Sequence, residues 1–253
     1  MVKIRNIEEL MEKLAPKELK ESWDNVGLQV GNSESVVSGI LLSLDLTSSV
    51  IEEAESLGCN LILTHHPLIL EPLKKIVTGD AVSDMIISLI SGNISFYCAH
   101  TNLDKAPGGV NDCLAERLGL IDITDLGDEE GALCRIGALP YKMTVEEFAY
   151  EVKSRLGCDN VKYTGDGSKN IKTVALCSGS GSDFYTEAVK NGAEVFVTGE
   201  VKHHAALYGE EMGISFIEAG HFETENIVLE MLSDKLTESF DIPVFISENH
   251  KAF

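Results

Sequence analysis

The chain has 253 residues, 44% of them hydrophobic, and a mean hydropathy of +0.05. That is long enough for one large or two small domains with a real core, and too apolar for a disordered chain. Its 41 acidic against 20 basic residues leave a formal charge of −21, a field that repels phosphate backbones and anionic lipid and so argues against extended nucleic-acid or membrane binding.

Residues 6–14 place Ile7, Leu10, Met11 and Leu14 at helical spacing, which predicts a charged amphipathic helix rather than a signal peptide. Trp23, Asp24 and Asn25 read as a turn closed by a packed aromatic, with polar side chains binding backbone, ahead of a strand over 26–30. A strand over 40–44 ends at Asp45, and Ser49 with Glu52 has the spacing of a capping box for a helix that stops before Gly58. Leu61 to Thr64 is a short apolar run that reads as a buried strand. His65 and His66 follow it, and Pro67 prevents its continuation. A second amphipathic helix covers about 80–90. The run 94–99 is a further strand, ending at His100 and Asp104, and a loop over 105–109 leads to a helix from Asn111 to about Leu118.

The acidic, Gly-containing stretch 122–131 reads as the linker between an N-terminal α/β domain (1–125) and a C-terminal one (126–253), with the segment after about 226 able to pack back on the first. Beyond it come a strand over 133–140, a helix opened by a Thr144/Glu147 capping box and running to Leu156, and a turn over 165–170. The six cysteines form no C-x-x-C pair, and they read as reduced residues of a cytoplasmic protein. No apolar run approaches the roughly twenty residues that span a bilayer.

The second half repeats the first. Ile40 matches Val174 at an offset of 134, where Ala54 also meets Ala188, Gly58 meets Gly192 and Thr64 meets Thr198. Phe96 to His100 pairs with Phe216 to His221 if one residue is inserted, and His100/Asp104 resembles His221/Glu225. The reading is two similar α/β domains forming a pseudo-symmetric pair, with a dinuclear metal site in the cleft between them.

His65, His66, His100, Asp104, His221 and Glu225 all follow strands. Imidazoles mixed with carboxylates suit zinc, iron, manganese or cobalt better than calcium. These groups exceed the needs of one tetrahedral ion, whereas two divalent ions per chain, roughly 3.5–4 Å apart and bridged by Glu225 or Asp104, would use them all. Taken singly, each is equally a hydrogen-bonded histidine or a helix-capping acid. Glu200, His203 and His204 lie at the repeat counterpart of the Thr64-His65-His66 stretch but out of register for ligation. They are candidates for substrate contact or proton transfer, or form a solvated helix start. The Gly179–Gly181 turn, between a strand and a helix, offers backbone N–H groups to an anion.

SWDNVGLQVG (22–31), LTHHPLI (63–69), AHTNLDKAPGGVND (99–112), TGEVKHH (198–204) and AGHFETE (219–225) resemble the signature blocks of the Nif-three-like family, whose members are often labelled GTP cyclohydrolase I type 2 homologues. The resemblance spans nearly the whole chain and implies a short form without the inserted domain. It implies a dinuclear centre with His65, His66, Asp104, His221 and Glu225 as ligands and His100 lining the site, in a homohexamer built as a trimer of dimers. The tail, Asn249 to Phe253, departs from the family pattern, and His250 is assigned nothing. The family label points to a metal-dependent hydrolase acting by water attack on a purine nucleotide or a related small-molecule substrate. A phosphoester hydrolase using the same site and a non-enzymatic metal-handling or regulatory protein are the alternatives, since family alone does not settle chemistry. Lys202 and the Gly179–Gly181 turn are the local candidates for phosphate contact.

Overall fold

The computed structural model describes residues 1–127 and 132–249. In chain order the elements are α1 (Ile4–Leu14), β1 (Gly27–Val30), β2 (Ile40–Ser43), α2 (Ser48–Leu57), β3 (Leu61–Thr64), α3 (Ala81–Ser91), β4 (Ser95–Cys98), α4 (Thr101–Lys105), α5 (Val110–Arg117), β5 (Ile121–Asp125) and β6 (Arg135–Thr144). They continue with α6 (Val145–Leu156), β7 (Lys162–Tyr163), β8 (Asn170–Cys177), α7 (Tyr185–Lys190), β9 (Val195–Thr198), α8 (His203–Glu211), β10 (Ser215–Glu218), α9 (His221–Glu225), α10 (Val228–Ser239) and β11 (Val244–Ile246). The chain forms two compact units: residues 1–106 together with the segment from 228 onward, and residues 107–227.

The first unit holds a five-stranded sheet in the order β1-β4-β3-β2-β11. All neighbours are parallel except β1, which runs antiparallel to β4. Every residue of β2, β3 and β4 is buried, as expected of parallel strands covered on both faces. Leu41, Ile62 and Phe96 pack on one face with Val50, Ile51 and Ala54 of α2 and Ile86 and Leu89 of α3. Gly58 closes α2 in the left-handed conformation at φ 70°, which costs glycine no Cβ clash.

The second unit holds a six-stranded sheet in the order β5-β6-β8-β9-β10-β7, with β8, β9 and β10 parallel. The two-residue period of β8 divides its core: Val174 and Leu176 face Phe148 and Val152 of α6, whereas Ala175 and Cys177 face Tyr185, Ala188 and Phe196. The Thr144/Glu147 capping box is present in both directions, and Gly157 ends α6 at φ 69°.

The repeat read from the sequence is visible in the ladders. Ile40 pairs with Leu61 and Leu61 with Ser95; at the equivalent positions Val174 pairs with Val195 and Val195 with Ser215. The inserted residue falls after β10, where Gly220 takes φ 94°.

The structure departs from expectation in four places. The stretch read as a linker overlaps β5, whose residues pair with β6 and whose Asp125 carboxylate lies 3.0 Å from the buried Arg135; its last four residues, 128–131, lie outside the described residues, as does the tail from 250 on. The N-cap of α2 is Thr47, which accepts from Val50 N–H, not Ser49. Trp23 is exposed rather than packed. The loop after β4 contains the short helix α4, held by Asn102, whose side chain donates to the Ala15 carbonyl and accepts from His100 N–H. Among the described residues no helix is long and apolar enough to cross a membrane.

Candidate metal centre

In the first unit the chemistry gathers at the carboxyl ends of β2, β3 and β4, where an open α/β sheet presents ligand-binding groups. The ladder carries the backbone of His65 and His66 past the strand end. His65 N–H donates to Ser43 O and His66 N–H to Leu44 O, while Ala99 N–H donates to Thr64 O. The rings of His65, His66 and His100 stand 5.0–5.5 Å apart, and one ligand atom from each lies within 4.8 Å of the others. Asp104, one turn into α4, brings Oδ1 to 3.5 Å from His65 Nε2.

Each ring is oriented through Nδ1. His65 Nδ1 lies 2.9 Å from the Ala99 carbonyl, His66 Nδ1 2.7 Å from Asp45, and His100 Nδ1 2.9 Å from Asp24. A carbonyl or an ionised carboxylate can only accept, so Nδ1 carries the proton and Nε2 is the nitrogen able to ligate. Asp24 is buried, which raises its pKa, but hydrogen bonds from His100 and Thr101 and the neighbouring imidazole outweigh that and hold the carboxyl at about 2.

The second unit repeats the device. His221 opens α9 and Glu225 follows one turn later, so their side chains share a face: His221 Nε2 is 3.0 Å from the buried Glu225 Oε2, and His221 Nδ1 is 2.8 Å from Glu200 Oε1. Glycine makes room for this pair. A Cβ on Gly179, which takes φ 56°, would stand 2.2 Å from Glu225 Oε1 and 3.2 Å from His221 Nε2. Gly179 N–H itself donates to Thr224 Oγ1, so this amide of the expected anion turn is already committed.

The remaining sequence candidates fall around these groups. Glu200 is bound to His221 rather than standing alone. His203 is exposed at the first position of α8, and His204 and Lys202 both lie against Asp183, at 3.3 Å and 2.5 Å. Sequence reasoning gave no site role to Asp45 or to the Ala99 carbonyl, and it favoured backbone binding for Asp24. Their one signal was position, at a strand end or in the turn preceding one.

The donor set fits a first-row divalent ion. Three imidazoles and a carboxylate in the first unit, and an imidazole with a carboxylate in the second, are borderline nitrogen and oxygen ligands, each imidazole backed by an acceptor that fixes its tautomer.

Comparison with known proteins agrees with this architecture. The model of the family Duf34/NIF3 (NGG1p interacting factor 3) matches residues 2–252. A Clostridium perfringens protein named GTP cyclohydrolase 1 type 2 homolog is 42% identical over 96% of this chain and 94% of its own length. A Lactococcus lactis protein of the same name is 34% identical over 95% and 93%. Among solved structures, a Bacillus cereus protein related to NIF3 superposes with a TM-score of 0.93 at 25% identity, covering 100% of this chain and 99% of that one. Reduced HcgD from Methanocaldococcus jannaschii gives 0.85 at 30% identity, covering 98% of each. With signature residues, two α/β sheets and a family match across nearly its whole length, the chain belongs to the DUF34/NIF3 family.

Proposed function

We propose that the protein is a dinuclear metal-dependent hydrolase acting on a purine nucleotide or a related small molecule. The ligands proposed for two divalent ions are His65, His66 and Asp104 from the first unit with His221 and Glu225 from the second. The observation that carries this reading is the shared orientation of the imidazoles: His65, His66, His100 and His221 each commit Nδ1 to an acceptor, and His65 and His221 each turn Nε2 to a carboxylate. Unrelated surface histidines have no reason to share that arrangement.

When bound, ions of this kind supply Lewis acidity and make water a competent nucleophile near neutral pH. Around them, Asp45, the Ala99 carbonyl and Glu200 hold the ligating rings in place. His100, fixed by Asp24, is proposed to exchange a proton through Nε2 with the reacting group, and His203 to contact substrate. The names of the relatives support a nucleotide substrate, and the family resemblance supports a homohexamer, which analytical ultracentrifugation tests.

The experiment is turnover by the metal-reconstituted protein with GTP, a nucleotide panel and phosphoesters, with Glu225→Ala as control. Turnover of one substrate that vanishes in the variant supports the hydrolase. Two ions bound per chain without turnover of any substrate moves the reading to metal handling or regulation.

A further inference from the structure

Trp23 is the single tryptophan of the chain, and it stands 57% exposed on a turn that is held from several sides. The Asp24 carboxylate accepts from the backbone N–H of Asn25 and Thr101, from the Thr101 hydroxyl and from His100. The Lys20 ammonium donates to the Asp24 carbonyl, and Glu21 N–H to Thr101 Oγ1. An indole left in water forgoes the gain its burial would bring, so a well-tied turn that leaves one outside calls for a reason.

Position supplies it. The Trp23 ring centroid lies 5.9 Å from that of His100, with the planes inclined by 73°, and His100 stands 5.2 Å and 5.5 Å from His65 and His66. The exposed indole is therefore fixed one ring beyond the candidate ligands. An aromatic surface in such a place stacks a planar heterocycle, because every base offers a π-face, whereas a simple sugar phosphate has none to offer. Stacking also needs no positive charge from the protein, which suits a chain of net charge −21.

The geometry points to Trp23 as the platform on which the substrate's heterocycle stacks, so that the ligand class at the His65/His66/His100 centre is a base-bearing nucleoside or nucleotide rather than a plain phosphoester. This deepens the hydrolase reading and rests on it for the reaction, though not for binding.

Because Trp23 is the sole tryptophan, fluorescence excited beyond the absorption of the six tyrosines reports on this position alone. Guanosine and GMP added to the metal-loaded full chain should quench it, and ribose 5-phosphate should leave it unchanged. Trp23→Phe should keep GMP affinity, by calorimetry, within about threefold, while Trp23→Ala should weaken it about tenfold or more with metal content and melting temperature unaltered. Equal quenching by ribose 5-phosphate, or wild-type GMP affinity in Trp23→Ala, would overturn the assignment. Quenching that follows the base without turnover of any substrate upholds the platform and defeats the hydrolase. Turnover whose KM ignores Trp23→Ala does the reverse.

Discussion

Asp24 and His100 lie 76 residues apart in sequence, yet the Asp24 carboxylate accepts from the imidazole Nδ1 at 2.9 Å. The bond joins the turn before β1 to the end of β4 and leaves His100 a single orientation. Asp24→Asn keeps the shape but offers an amide that can donate, so the ring loses its reason to protonate at Nδ1. Turnover by the metal-loaded protein should fall about 10²- to 10⁴-fold with metal content unchanged, read by steady-state kinetics beside metal analysis. Unchanged turnover would separate His100 from the centre, and loss of metal would make it a ligand instead.

Gly179 supplies a steric test. Alanine there adds about 1–2 kcal/mol of left-handed backbone strain and drives a methyl against Glu225 Oε1. Gly58→Ala meets the same kind of strain at φ 70° but with nothing within 4 Å. Thermal melts should fall in both variants, while metal stoichiometry should drop only in Gly179→Ala.

Removing metal should loosen the protein. A ligand present at a hundred times its Kd adds about 2.7 kcal/mol to the folded state, so chelation should lower the melting temperature by about 5–10 °C. In His65→Ala the drop should shrink towards zero. Calorimetric scans with and without chelator check both.

Glu53 gives a pH dependence of known sign. It accepts from the Ser247 hydroxyl, Glu248 N–H and the Asn249 amide. Burial raises its pKa, but these hydrogen bonds outweigh burial and hold it below the ordinary carboxylate range. With the folded value below the unfolded one, the stabilisation is complete above the unfolded pKa and fades as pH falls through the folded value. Hydrogen-exchange protection of β11 should decline below about pH 4, and Glu53→Gln should flatten that decline. Glu53→Ala should cost about 1–3 kcal/mol locally at neutral pH.

The cap of α2 separates two readings of one stretch. Thr47→Ala should cost about 1 kcal/mol and Ser49→Ala close to nothing, by denaturant unfolding.

How far the sequence could be read depended on how local each determinant is. Thr144 and Glu147 satisfy each other within one turn, so α6 was legible from spacing alone. The repeat was legible because buried parallel strands tolerate few residue types, and the ladders preserve its register from Ile40 to Ser95 and from Val174 to Ser215. Thr47 and Ser49 are both good caps two residues apart, and only the entry angle of the chain chooses between them. The acidity of 122–125 suggested a linker because Arg135, which lies beside Asp125, is ten residues away and reached only through the β5–β6 pairing. Asp24 and Asp45 act on histidines 76 and 21 residues distant; no periodicity carries that information. The exposure of Trp23 is likewise set by what the fold leaves uncovered.

The first unit is interrupted: the chain leaves it at Ala106, builds the whole of the second, and returns at Val228 for α10 and β11. On the ribosome, residues 107–227 emerge as an unbroken stretch that can fold on its own schedule, whereas the flank of β2 that receives β11 stays bare until residues 244–246 have followed them out. A bare strand flank is an invitation to pair with another nascent chain. The interval in which this protein is most exposed to aggregation is therefore set by the time taken to translate its own middle, and slow codons there would lengthen it.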